Sequence, residues 1–131
     1  MKAIGEFDVN LRALDAYARG KDGVKLGRMS IDKSFRGDFV GTSIGEMLSA
    51  MTTVKGSAGY VAIEQVSGSL AGKKGNFVLQ HFGTMHKGES SLVLEVVPDS
   101  GSGQLLGLSG KMTIKLDEGR HYYEFDYELE D

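Results

Sequence analysis

The chain has 131 residues, with no cysteine, one proline and a formal net charge of −3. These values exclude a disulfide framework and a thiolate metal site, and no basic stripe of the kind that binds a phosphate backbone is present. Because neither a signal-peptide stretch nor a long apolar run occurs, the sequence predicts one cytoplasmic domain over residues 1–131, with no nucleic-acid or membrane partner. Glycine occurs 19 times among Val, Phe, Tyr and Thr, which is typical of turns and bends in β-structure.

Alternation of apolar and polar residues is the dominant pattern and predicts eight strands. In chain order they cover residues 2–9, 24–35, 38–52, 57–68, 75–85, 90–97, 111–117 and 121–130. The short glycine-containing segments between many of them are typical of hairpin turns. These turns lie at residues 36–37, 55–56, 71–74, 86–88 and 118–119.

Two segments interrupt the alternation. Residues 10–23 have Leu11, Leu14 and Ala18 at helical spacing, which predicts a short helix or an ordered loop. Residues 98–110 are rich in glycine and predict a long connection with one helical turn around residues 104–106. The eight strands favour an all-β, closed antiparallel barrel of the up-and-down kind over a sandwich. Side chains fill the interior of such a barrel, or it holds one small ligand.

No motif in the sequence fixes a reaction. The segment 101–107 resembles a phosphate-binding loop, but Leu106 stands where the dinucleotide fingerprint needs glycine. His81 and His86 are five residues apart and would point to opposite faces of a strand. We therefore expect no metal site and no cofactor.

Polar side chains on apolar strands are the candidates for a functional site. Gln80 and His81 lie in the middle of a nearly apolar strand, so one of them is expected inside the barrel or at a subunit contact. Glu46 and Glu64 each share a strand face with apolar residues, although the opposite faces are apolar as well. The candidate residues for an apolar cavity are Glu46, Tyr60, Glu64, Gln80, His81 and Tyr123.

Several segments resemble an uncharacterised bacterial family of about this length, catalogued as a domain of unknown function. They are residues 33–39, 45–50, 56–62, 75–81, 96–103 and 108–110. The resemblance implies a fold similar to the allene oxide cyclase barrel, which is eight-stranded and has an apolar cavity. It implies no catalytic residue here, because the motif of those cyclases is not matched to positions in this sequence, and it does not imply their reaction, because one fold hosts many functions.

Three functions remain open on this sequence. The first is a barrel that binds a small apolar ligand with one polar end. The second is a cofactor-free isomerase, cyclase or hydrolase in which a buried carboxylate acts with Tyr or His. The third is a non-catalytic barrel that self-associates, since residues 60–66 and 77–82 are apolar on both faces. We expect a homo-oligomer, with a dimer favoured.

Overall fold

A computed structural model describes residues 1–130, which form nine β-strands and no helix. The strands are β1 (Lys2–Leu14), β2 (Lys25–Gly37), β3 (Phe39–Met51), β4 (Ala58–Leu70), β5 (Lys73–His86), β6 (Glu89–Val96), β7 (Ser102–Gly103), β8 (Ser109–Asp117) and β9 (Arg120–Glu128).

Eight of these strands close into an antiparallel barrel, as the alternation predicted. Each strand pairs with its neighbour in sequence, β9 pairs with β1, and the two-residue β7 adds only a short pairing to β5. Three hairpins have two-residue turns in which both residues have positive φ, a conformation that suits hairpins. These turns are Ala71–Gly72, Lys87–Gly88 and Glu118–Gly119. The shortest seam joins β6 to β8, where the described pairs are Leu94 with Met112 and Glu95 with Lys111.

The structure corrects one local prediction and shows the turn expected from another. Residues 10–14 continue β1, because their backbone pairs with β2 as far as Leu14 and Arg28, so the helical spacing of Leu11, Leu14 and Ala18 does not produce a helix. The turn predicted near residue 105 is present as hydrogen bonds from Leu105 N to the Ser102 oxygen and from Leu106 N to the Gly103 oxygen, without a helix.

One end of the barrel is closed by the segment between β6 and β8. Its Leu105 and Leu108 are buried in the hydrophobic core, which at this end is rich in aromatic rings. Ser100 Oγ and Gln104 Oε1 accept hydrogen bonds from backbone amides of β5 and hold the segment in place. This end of the barrel is therefore packed by the chain's own side chains.

The other end is open, because inward-facing side chains become progressively more exposed towards it. On β1 the exposure rises from 3% at Phe7 to 44% at Leu11, and on β6 from 1% at Leu94 to 38% at Leu92. We call this end the mouth. It is formed by the inward-facing residues Leu11, Met29, Met47, Met51, Tyr60, Met85, Leu92 and Leu116.

Candidate functional site

A group of polar side chains lies inside the barrel, between the packed end and the mouth. Lys33 on β2, Glu64 on β4 and His81 on β5 all point inward and are 5%, 0% and 4% exposed. Tyr60, four residues before Glu64 on the same strand, is half-buried on the mouth side. We call these four residues the polar cluster. Charged side chains are almost never fully buried unless they are paired.

The cluster is a continuous chain of hydrogen bonds. Lys33 Nζ donates to Glu64 Oε2 over 2.8 Å. A carboxylate only accepts, so His81 Nε2 donates to the same Oε2 in a very short contact. On the other side of the ring, His81 Nδ1 lies 3.2 Å from the Tyr60 hydroxyl. The Lys33 ammonium also lies 4.8 Å from the centre of the Phe7 ring, a favourable cation–π contact.

These contacts keep Glu64 ionised. Burial by itself would raise the pKa of Glu64, but the hydrogen bond from His81 and the charge of Lys33 outweigh it and lower that pKa from 4.5 to about 2. Burial, followed by the negative charge of Glu64, raises the pKa of Tyr60. The Tyr60 hydroxyl therefore keeps its proton at neutral pH and can both donate and accept a hydrogen bond.

Two glycines make room for the cluster on neighbouring strands. Gly45 lies opposite Glu64, and a Cβ at Gly45 would overlap the backbone and Cβ of Glu64. Gly83 lies opposite Tyr60, and a Cβ there would overlap the Tyr60 ring. Neither glycine has a positive φ, so their role is close approach rather than backbone freedom.

We expect Gly83→Ala to displace the Tyr60 ring and weaken its hydrogen bond with His81. Overpacking of this kind costs about 1–3 kcal/mol, which urea unfolding would measure, with near-ultraviolet circular dichroism reporting on the tyrosine. The matched control is Gly59→Ala on the same pair of strands, where the nearest atom to the new Cβ is 3.7 Å away. Equal losses in both variants would contradict the close approach of Tyr60.

The six residues predicted from sequence separate into two groups and one single residue, Tyr123. Tyr60, Glu64 and His81 come together in the polar cluster. Glu46 and Gln80 point outward instead, where both line a shallow groove on the outer face, and Glu46 pairs with Arg28 over 2.5 Å. They point outward because the residues that follow them, Met47 on β3 and His81 on β5, face the barrel interior. Successive side chains along a strand alternate between its two faces.

Tyr123 is buried, but it is a structural residue of the closed end. Its hydroxyl accepts a hydrogen bond from Phe39 N at 2.9 Å and lies 3.0 Å from the Arg36 carbonyl oxygen. These contacts fasten β9 to the turn between β2 and β3. Tyr123 therefore does not reach the polar cluster through any described hydrogen bond.

Lys33 was missed by the sequence analysis. The signal was available, because Lys33 occupies the inward position between Ile31 and Phe35 in the alternation of β2. A lysine at such a position needs a buried counter-charge, and Glu64 is the buried carboxylate that provides one. The ion pair between Lys33 and Glu64 could have been predicted from two opposite charges that each lie on an apolar strand face.

Two further properties concern the described residues as a whole. Within residues 1–130, no group of three or more His, Asp or Glu side chains is arranged to hold a metal ion. The same residues include no helix that is long and apolar enough to cross a membrane.

Comparison with known proteins places this barrel in a family. A model of a family described as "protein of unknown function (DUF3224)" matches residues 3–127. The chain belongs to the DUF3224 family. Its solved structures include a DUF3224 protein of unknown function from Shewanella oneidensis MR-1, which is 58% identical and superposes with a TM-score of 0.97. That match covers 100% of this chain and 98% of the Shewanella chain.

No curated protein matches this DUF3224 chain. The family match confirms the resemblance seen in the sequence to a domain of unknown function. The likeness to the allene oxide cyclase barrel stays a prediction.

Proposed function

We propose that this DUF3224 protein binds a small, largely apolar molecule at the mouth of the barrel, with the polar end of the ligand at the polar cluster. The observation that carries the proposal is the position of the cluster. Lys33, Glu64 and His81 form the floor beneath a ring of inward-facing apolar side chains that are open to solvent. Binding sites typically combine apolar walls with a few placed polar groups.

The composition of the mouth supports the same function. Four of its residues are methionines, and Met29 lies opposite Met47 on the neighbouring strand. Methionine is flexible and polarisable, and proteins use it on surfaces that accept varied apolar partners. Leu116 and Leu11, at 65% and 44% exposed, extend this apolar lining to the rim.

We expect the neutral dye Nile red to bind the protein, and Met47→Lys to weaken that binding by about tenfold or more, because a charge at an apolar wall has to be desolvated. Fluorescence titration measures the change. Ile44→Lys is the matched control, since Ile44 is an apolar residue of the same strand but is 70% exposed on the outer face. Absence of dye binding, or an equal loss in both variants, would contradict a site at the mouth.

A second candidate function, cofactor-free acid–base catalysis, is favoured by the chain Tyr60–His81–Glu64. A histidine oriented by a carboxylate is a common device for moving a proton to or from a hydroxyl, and a tyrosine that keeps its proton suits the role of acid. Native mass spectrometry of protein purified from its host separates the functions. A retained molecule released unchanged supports binding, and one converted by the wild type but not by Tyr60→Phe supports catalysis.

We also propose that the outer face of β3–β6 pairs with a second copy of the chain. Leu48, Val61, Phe82 and Val93 are register neighbours on four successive strands and form an exposed apolar stripe. Monomers rarely expose a continuous apolar patch of this kind. The charges beside it are paired within the chain, as Arg28 with Glu46 and Lys111 with Glu95, so two copies can approach without net repulsion.

We expect the wild type to be a dimer in sedimentation-velocity experiments, and Phe82→Lys to be a monomer. Phe82 is 60% exposed at the centre of the stripe, so a lysine there would have to be buried without a counter-charge in the pair. Met47→Lys, on the inner face, should leave the dimer unchanged. A monomeric wild type at micromolar concentration would refute this pairing.

A further inference from the structure

The two oxygens of the Glu64 carboxylate are used very unequally. Oε2 accepts from both Lys33 Nζ and His81 Nε2. Oε1 is buried and has no hydrogen-bond donor among the described groups of the protein. Buried polar atoms are nearly always paired, and a charged acceptor without a donor is costly. Oε1 is thus an acceptor that the fold leaves for another molecule.

The charge around Oε1 restricts what that molecule is. The charges of Lys33 and Glu64, whose Nζ and Oε2 atoms lie 2.8 Å apart, already neutralise each other, and both side chains are buried. An anionic group at Oε1 would face a carboxylate, and a cationic group would add an uncompensated charge beside Lys33. A neutral donor, such as a hydroxyl, satisfies Oε1 without changing the net charge.

The approach to Oε1 is from the mouth. Along the inner face of β4, the small Ala62 side chain lies between Glu64 and Tyr60, so Tyr60 is the next larger side chain on this strand towards the mouth. The Tyr60 ring rests on Gly83 and is held by one hydrogen bond to His81. Rotation of this half-buried ring would open a path from the mouth to Glu64.

We propose that the molecule bound at the mouth is neutral, with an apolar body and one hydroxyl that donates a hydrogen bond to Glu64 Oε1. This inference rests on the proposed function, because it names the class of ligand that the same site takes. It also assigns the discriminating contact to a single atom of the chain.

The test is a set of probes with one apolar body and different polar ends. Naphthalene, 2-naphthol, 2-naphthoate and 2-naphthylmethylammonium would each compete with Nile red for the full-length protein at neutral pH. We expect 2-naphthol to bind about tenfold more tightly than naphthalene, the gain of one charge-assisted hydrogen bond, and the two ions to bind more weakly than 2-naphthol. If 2-naphthoate or the ammonium competes as well as 2-naphthol, the ligand class is wrong although the binding function stands. If none of the four competes and Nile red does not bind, the binding function itself is wrong.

A paired variant tests the assigned atom. Glu64→Gln alone would leave Lys33 without a counter-charge, so the variant Lys33→Met/Glu64→Gln removes the lysine as well. His81 donates to the amide oxygen of the new side chain in place of Oε2, so the amide NH₂ group takes the place of Oε1. We expect the preference of the wild type to invert, with 2-naphthol losing its advantage and 2-naphthoate gaining at least about tenfold relative to it. Met47→Ser, which keeps the cluster intact and adds no charge, should weaken the binding of all four probes alike, because they share one apolar body. An unchanged preference in the double variant would overturn the assignment to Glu64 Oε1.

Discussion

Lys33→Met is expected to destabilise the protein by about 3–5 kcal/mol, the range found when one member of a buried ion pair is removed. The cause is Glu64, which is 0% exposed and would keep its charge without the ammonium that lies 2.8 Å away. The methionine is unbranched and apolar, so it can occupy the place beside the Phe7 ring where Lys33 Nζ lies in the wild type. Urea unfolding at neutral pH measures the loss.

The double variant Lys33→Met/Glu64→Gln identifies the source of that loss. Neutralising both partners removes the uncompensated charge, so we expect most of the stability to return and the two substitutions to be strongly non-additive. Glu46→Gln is the surface comparison, because it breaks the exposed pair with Arg28 and should change stability little. A double variant as unstable as Lys33→Met would show that packing, and not charge, causes the loss.

Acid should remove the stability that Glu64 contributes. Its pKa is about 2 in the folded protein and 4.5 as an ordinary group, so the folded state favours the ionised form. A lowered pKa contributes stability that is fully present above about pH 4.5 and is lost as the pH falls towards about 2. The difference between these two pKa values corresponds to about 3 kcal/mol in the free energy of unfolding.

The same double variant isolates this effect, because every other carboxylate titrates in both proteins. We expect the wild type to lose about 3 kcal/mol of its free energy of unfolding relative to Lys33→Met/Glu64→Gln between about pH 5 and pH 2. Denaturant titrations at several pH values provide the measurement. A constant difference over this interval would mean that Glu64 is not ionised by its partners in the folded state.

The fold could be predicted from the sequence because nearly every strand shows period-2 alternation and many of the strands are joined by turns that contain glycine. The helical spacing at residues 11–18 was misleading, since spacing is local and the pairing of β1 with β2 is not. The burial of Leu105 and Leu108 could not be foreseen either, because a glycine-rich connection carries no periodicity.

The candidate site was only half predictable for a related reason. On β4 and β5 the outward residues Val61, Ile63 and Phe82 are as apolar as the inward ones, so alternation alone does not choose between the two faces. This is why Gln80 and His81 could not be separated in advance. Lys33 was different, because its strand has a clear inner face, and a charged residue on that face was itself the signal.

Because the pairing between β6 and β8 is short, local opening of the barrel there needs less free energy than opening between the long strands. Strands β2–β5 pair along nearly their full lengths, whereas β8 is joined to β6 at Leu94–Met112 and Glu95–Lys111 and relies on β9 for the rest of its pairing. Amides of β8 near this seam should exchange with deuterium through local opening, before those of β3 and β4. New chain ends introduced into the β6–β8 segment would interrupt few ladder hydrogen bonds, so a circular permutant opened there would keep the longest strand pairings intact.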